Sequence, residues 1–130
     1  MNAMQVWKSL PISLKILFVV LLVWVAMSTA AVTMMPEREI AFFGLLLSNT
    51  PATIIVLVLD VVSPLIFLYA MWKKLKWGAN FGMLYNGIFV LNNLIALFLF
   101  RDIFGNAMLF PLVAGTLFFY VIFRNRNYFS

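Results

Sequence analysis

The sequence predicts an all-α polytopic integral membrane protein, in which four transmembrane helices with short loops form a single domain over residues 1–130. Three observations predict this class. The chain is 65% hydrophobic and 10% charged, which is more apolar than a soluble domain of this size can bury. Its apolar runs approach the roughly 20 residues that a helix needs to cross a bilayer. Its basic residues lie at the ends of those runs, as the positive-inside rule describes.

The first predicted span covers about residues 16–35 and follows a short basic lead, in which Pro11 suits the first turn of a helix. Its apolar run exceeds the hydrophobic region of a typical signal peptide, so we expect the run to stay in the protein as a span. Residues 40–47 are apolar but too short to cross. They predict a helix that lies flat at the membrane interface.

The remaining spans are predicted at about residues 52–72, 79–100 and 107–123. Ser48 and Pro51 mark the start of the second span as a capping residue followed by a proline. Gly78 and Gly82 lie four residues apart at the start of the third span, and small residues at this spacing let membrane helices approach closely.

Basic residues predict the orientation. Arg38 and Arg101 lie on one side of the predicted spans, and the other seven lie on the opposite side, which the positive-inside rule assigns to the cytoplasm together with both termini. We expect a prokaryotic cytoplasmic membrane as the location. The net charge of +5 does not indicate a nucleic-acid partner, because the charges sit at span ends. Five of the seven are expected to contact anionic lipids: Lys73, Lys74, Lys76, Arg124 and Arg126.

Composition removes most chemistry from consideration. The chain has no cysteine and no histidine, which excludes disulfides, thiol redox chemistry, histidine-ligated metals and histidine acid–base catalysis. Only four acidic residues are present. We therefore expect no catalytic residues, no metal site and no cofactor, and we expect the protein not to be an enzyme.

One carboxylate, Asp60, lies near the middle of the second span, where an acidic group is costly and normally faces a partner or a cavity. Pro64 deprives the Asp60 carbonyl of its helical hydrogen-bond donor and predicts a kink. The helical rise of about 1.5 Å per residue places polar side chains of the other spans at a similar depth. The candidate polar layer consists of Asp60, Asn92, Asn93, Thr116 and Ser28.

Two interpretations of this layer remain open. It either holds the helices together through hydrogen bonds or forms a proton- or cation-responsive site. We favour the first, because a translocation path usually contains more than one ionisable group. The sequence thus predicts a non-catalytic accessory, assembly or structural subunit of a membrane complex. Its partners would be the lipid bilayer and either other membrane subunits or further copies of itself. The alternative is a small oligomeric proton- or ion-coupled transporter or channel that uses Asp60 with Asn92 or Asn93.

Overall fold

The protein is described from a computed structural model, which covers residues 2–34 and 39–129. It is mostly helical, at 81%, and two short strands form a hairpin. The elements in chain order are helix α1 (Ala3–Ser9), helix α2 (Ile12–Met34), strand β1 (Ile40–Phe42), strand β2 (Leu45–Leu47), helix α3 (Asn49–Lys73), helix α4 (Gly78–Leu99), helix α5 (Arg101–Phe104), helix α6 (Leu109–Arg124) and a closing 3₁₀ turn (Arg126–Phe129).

The helical class is confirmed, and α2, α3 and α4 are each long and apolar enough to cross a membrane. The fourth apolar helix, α6, has 16 residues, so it rises about 24 Å against a hydrocarbon core of about 30 Å. The helix predicted at 16–35 starts earlier, at Ile12, and its predicted end at Met35 lies outside the described residues.

The basic lead contains a helix that the sequence prediction lacked. In α1, Asn2 and Gln5 form a reciprocal capping box, with the Gln5 N–H donating to Asn2 Oδ1 at 2.9 Å and the Asn2 N–H donating to Gln5 Oε1 at 3.1 Å. Leu10 then adopts an extended conformation, because the proline that follows disfavours helical geometry in the residue before it. This break ends α1 before α2 begins at Ile12.

The predicted interfacial helix over residues 40–47 is wrong, because this segment forms an antiparallel hairpin in which Ala41 pairs with Leu46. Phe43 and Gly44 make the turn and both have positive φ angles, 48° and 88°, as a two-residue hairpin turn of type I′ requires. Eight residues offer a helix only about two turns, and a central glycine costs about 1 kcal/mol more than alanine in a helix.

Helix α3 is distorted where the sequence predicted a kink at Pro64. Residues Leu57–Val62 form a π turn, and the Ser63 N–H donates to the Val58 carbonyl five residues earlier. The Ser63 hydroxyl donates to the same carbonyl at 2.8 Å. Because Pro64 has no N–H, the α-helical ladder cannot continue through it, and the wider π turn accommodates the break just before it.

The core is concentrated at the end of the molecule that contains α1, the 74–77 turn and the C-terminal 3₁₀ turn, which we call the basic end. The opposite end, with the β-hairpin and α5, is called the hairpin end. At the basic end the Phe67 ring packs against Gly82, where an added Cβ would lie 2.6 Å from it. Phe129 packs on Gly78 in the same way. The predicted role of these glycines in close helix packing is therefore confirmed.

Candidate functional site at Asp60

Asp60 lies in the π turn of α3 and lines a narrow cleft between four helices. The side chain is half-buried. Its neighbours in the cleft are mostly apolar and come from α2, α3, α4 and α6; they are Leu21, Trp24, Leu59, Pro64, Tyr85, Asn86, Phe89 and Phe118.

Two polar side chains of α4 face the same cleft. Tyr85 is 5% exposed, and its hydroxyl makes no hydrogen bond of standard geometry with any described residue. The Asn86 amide and the Asp60 carboxylate are nevertheless close enough to act on that hydroxyl electrostatically. Asn86 itself donates from Nδ2 to the Gly82 carbonyl at 2.8 Å. The cleft therefore combines a carboxylate, a phenol and an amide.

Aromatic rings form the wall of the cleft. The Trp24 indole makes edge-to-face contacts with Phe89 and Phe118, each with ring centroids 5.7 Å apart. The Phe89 ring also packs against Gly115 of α6, where an added Cβ would lie 2.8 Å from it. These contacts tie α2, α4 and α6 together at the level of Asp60 and surround its carboxylate with low-dielectric groups.

The cleft is small. It has room for about one water molecule, and a buried water normally needs two to four polar partners. Asp60, Tyr85 and Asn86 supply such partners. The space is too small for an organic substrate or for a continuous file of waters, so the cleft as it stands is a small, mostly apolar pocket with a few polar groups on its wall.

Of the five predicted members of the polar layer, all of which the structure describes, Asp60 alone lines the cleft. Asn92 instead holds the hairpin: its Nδ2 donates to the Ala41 carbonyl at 3.1 Å, and its Oδ1 accepts from the Phe43 N–H at 2.8 Å. Asn93 donates to the Phe89 carbonyl at 2.8 Å, within its own helix.

The other two predicted members do not line the cleft. The Thr116 side chain is exposed and donates to the Leu112 carbonyl of its own helix at 2.8 Å. Ser28 is half-buried in α2, one turn beyond the Trp24 that reaches the cleft. Four of the five predicted members therefore lie outside the lining of the cleft.

The register between α3 and α4 explains the difference. Matching the ends of the apolar runs places Asp60 opposite Asn92, whereas the contact of Phe67 with Gly82 places Asp60 opposite Phe89. Asp60 lies seven residues from Phe67, and Phe89 lies seven residues from Gly82, in both cases toward the hairpin end. The shift of three residues corresponds to about 4.5 Å along the helix. Close packing on a glycine decides this register, which the hydropathy of the two apolar runs does not predict.

The sequence prediction missed Tyr85 and Asn86. One signal could have found them, because Asn86 continues the four-residue spacing of Gly78 and Gly82 and must face the same neighbouring helix. A polar residue on a glycine face becomes buried between helices. Asn86 is indeed 1% exposed.

The residues predicted to contact anionic lipids lie at the basic end and are all exposed. Lys74 ends α3 in the left-handed conformation, with a φ of 54°. The Arg124 guanidinium donates to the Tyr120 hydroxyl at 3.0 Å, and that of Arg126 lies 4.2 Å from the centre of the Phe123 ring. Lys73 and Lys76 flank the same turn.

No family model, curated protein or solved structure matches the chain. Within residues 2–34 and 39–129, no group of three acidic, histidine or cysteine side chains is placed to hold a metal ion. The site must therefore be interpreted from its own geometry.

Proposed function

We propose that this chain is a non-catalytic four-helix integral membrane protein that serves as an accessory, assembly or structural subunit of a membrane complex. The observation that carries the proposal is the use of polar side chains within the apolar helices. The hydroxyls of Thr29, Thr33 and Thr116 each donate to a carbonyl one turn earlier, and Asn86 and Asn93 do the same. The backbone carbonyls satisfy these side-chain donors, which leaves little free chemistry for catalysis.

The proposal places α2, α3, α4 and α6 across the bilayer, with both termini on the cytoplasmic side of a prokaryotic inner membrane. Seven of the nine basic residues belong to the basic end, which supports this orientation. The shorter helix α6 is compatible with spanning, because local thinning of the bilayer accommodates a mismatch of a few ångströms. Its glycine contact with Phe89 holds it beside a helix long enough to span.

A large apolar surface supports a role in association. In α2 only 11% of the most apolar window is buried, and its buried residues, Leu14, Leu17 and Leu21, all lie in the first half. The second half, all of which the structure describes, contains no buried residue and exposes Val23, Met27 and Met34. This surface is available to lipid, to further copies of the chain or to other membrane subunits.

The test is the native mass and composition of the particle after gentle extraction from its own membrane. Stoichiometric co-purification with other polypeptides is the expected result for an accessory subunit. A monomer or homo-oligomer that moves no ion across liposomes would support the purely structural version. Ion or proton flux by the pure protein would overturn the proposal.

The alternative, an oligomeric proton- or ion-coupled transporter, is favoured by one observation, the location of Asp60 beside the buried Tyr85 hydroxyl. In this version Asp60 acts with Tyr85 and Asn86 rather than with Asn92 or Asn93. Flux in liposomes that is abolished by Asp60→Asn and retained in Asp102→Asn would support it. Asp102 is a matched control, because it is an exposed acid outside the cleft.

A further inference from the structure

The basic end has an unbalanced charge. Seven of the nine basic residues belong to it, and the four acidic residues of the chain, Glu37, Glu39, Asp60 and Asp102, lie elsewhere in the sequence. The carboxylate side chains are therefore not distributed along the sequence to balance these cations, and an anion from outside the chain can do so.

Aromatic contacts dock α1 against the larger helices and bring lysines to it. The Trp7 ring makes an edge contact with Phe18 at 5.7 Å, and Phe18 in turn lies 5.6 Å from Trp72 of α3. The Lys15 ammonium lies 5.9 Å from the centre of the Trp7 ring. The Trp7 side chain thus positions Lys15 at the junction between α1 and α2, with Lys8 next to Trp7 in the chain.

The C-terminal segment brings a second lysine to the same helix. Asn125 donates from Nδ2 to the Ser13 hydroxyl at 2.8 Å, and the Tyr128 hydroxyl donates to the Met71 carbonyl at 3.1 Å. The Tyr128 phenol also interacts with Ser9 at the end of α1. The Lys74 ammonium lies 5.3 Å from the centre of the Tyr128 ring. Lys15 and Lys74 are thus each linked to α1 through one aromatic ring, that of Trp7 and that of Tyr128 respectively.

We propose that the junction of α1, the start of α2 and the end of α3 binds the headgroup of an anionic phospholipid, with Lys15 and Lys74 as its principal ligands. A lysine held over a ring keeps N–H donors free for phosphate oxygens. Trp7 and Trp72 suit the headgroup level, where amphipathic aromatics collect. The site therefore extends the predicted lipid contact to α1 and α2, including Lys8 and Lys15.

The neighbouring surface identifies the anion as a lipid rather than a soluble phosphate. Along α2 from this junction, Ile12 is 73% exposed and Ile16 is 59% exposed, and Val19 continues the exposed apolar surface. Acyl chains attached to a headgroup at Lys15 would lie along this face. A free phosphate would gain nothing from it.

The experiment measures retention of phosphatidylglycerol relative to phosphatidylcholine by the purified full chain, using native mass spectrometry and binding to nanodiscs of either composition. We expect preferential retention of phosphatidylglycerol. Each of Lys15→Gln and Lys74→Gln should weaken it about fivefold, and the double variant more strongly. Arg101→Gln, at the hairpin end, removes the same charge and should leave the preference unchanged. Lys15→Arg and Lys74→Arg should retain it.

Three outcomes would overturn the proposal. One is equal retention of both lipids by the native chain, and another is an equal loss in Arg101→Gln, which would reflect net charge alone. The third is complete displacement of the lipid by inorganic phosphate at matched ionic strength, which would make the site one for a soluble anion. Circular dichroism and gel filtration of every variant separate these results from a loss of fold.

Discussion

At the scale of residues, the cleft depends on Asp60 and on the buried Tyr85 hydroxyl beside it. A hydroxyl buried without a well-formed hydrogen bond is expensive, and here its near neighbours are a carboxylate and an amide. The room for about one water molecule allows these groups to be joined by a bridge. The contributions of the two side chains to the free energy of unfolding should therefore be coupled.

A double-mutant cycle between Asp60→Leu and Tyr85→Phe tests this coupling. Asp60→Leu should lower the free energy of unfolding by about 1–3 kcal/mol, and Tyr85→Phe by about 0.5–1.5 kcal/mol. If a water molecule bridges the two side chains, the double variant should lose less free energy of unfolding than the two single variants lose together, by at least about 0.5 kcal/mol. Tyr69→Phe, which removes an exposed hydroxyl, is the control and should be neutral. A stabilising Tyr85→Phe would mean that the hydroxyl is simply unpaired.

Tyr128 should make stability depend on high pH. Burial raises the pKa of its phenol above the ordinary value of 10, and the interaction with Ser9 opposes this in part. A raised folded-state pKa contributes stability that is fully present below pH 10 and is lost as the pH rises through the folded-state value. From about pH 10 upward, the native chain should therefore lose more stability than Tyr128→Phe. Parallel curves of unfolding free energy against pH would contradict this.

At the scale of elements, glycines decide how the helices approach. Gly82 of α4 receives the Phe67 ring and is also close to Ile122 of α6, so it belongs to two helix interfaces. Gly115 of α6 likewise receives the Phe89 ring of α4. These contacts replace the stronger driving force that water supplies to soluble bundles, since helix association in lipid relies on close packing.

Gly82→Ala and Gly87→Ala form a matched pair. At Gly82 an added Cβ would lie 2.6 Å from the Phe67 ring and 3.0 Å from Ile122, whereas at Gly87 the nearest atom is 4.0 Å away on Phe119. Gly82→Ala should therefore destabilise the bundle by about 1–3 kcal/mol through overpacking, while Gly87→Ala should be neutral or slightly stabilising. Unfolding in detergent with increasing denaturant measures both. Equal effects would contradict the register inferred from Phe67.

The Asn92 side chain holds the hairpin to α4 through two hydrogen bonds. Asn92 pairs with both the Ala41 carbonyl and the Phe43 N–H, much as a neighbouring strand would. It also offsets the strain of a positive φ at Phe43, a conformation that bulky side chains rarely adopt.

Asn92→Ala should release the hairpin without unfolding the bundle. The amide protons of residues 40–47 should then exchange with solvent at least about tenfold faster, because their opening free energy falls by at least the roughly 1.4 kcal/mol that two hydrogen bonds contribute. Asn93→Ala is the control, since Asn93 bonds only within α4 in the structure. Unchanged exchange in Asn92→Ala would show that strand pairing alone maintains the hairpin.

At the scale of the whole molecule, the two ends differ. The basic end contains most of the buried core, with Phe67, Phe129 and Met71 almost fully buried. Toward the hairpin end, α2 has no buried residue between residues 22 and 34, all of which are described. The bundle is therefore tightly packed at one end and more open to its surroundings at the other.

The proposed topology can be tested in the chain's own cysteine-free background. Asn127→Cys and Lys76→Cys, at the basic end, should react with a membrane-impermeant maleimide only after the cytoplasmic face is opened. Asn106→Cys and Ser48→Cys, at the hairpin end, should react in intact cells. Labelling of Asn127→Cys and Asn106→Cys from the same side would contradict a membrane-spanning α6.

Much of the fold could be predicted from particular residues. The apolar runs correctly predicted all four long helices as helices, because hydropathy is a local property of each run. The distortion before Pro64 follows from one missing amide. The hairpin was not predicted, because Phe43-Gly44 is a weak turn signal. The hydrogen bonds that hold the hairpin come from Asn92, which is distant in the sequence.

The candidate site was predictable only in part. Asp60 stands out in any sequence window, because a carboxylate in an apolar run is rare. Its partners did not follow, since the depth estimate assumed that apolar runs end at the same level. The shift of three residues places Asp60 opposite Phe89, which is one turn from Tyr85 and Asn86, and this register depends on side-chain packing between helices.

The sequence by itself determined the helical class of this protein, its long apolar helices, the charge asymmetry of its ends and the place of Asp60 within an apolar helix. These properties are local or additive along the chain, so composition and periodicity report them. Only the tertiary structure decided which polar groups meet, how the hairpin is held and where Lys15 and Lys74 lie relative to α1. Those outcomes depend on register, which is set by the contact of Phe67 with Gly82 and by the folding back of the C-terminal turn onto Met71.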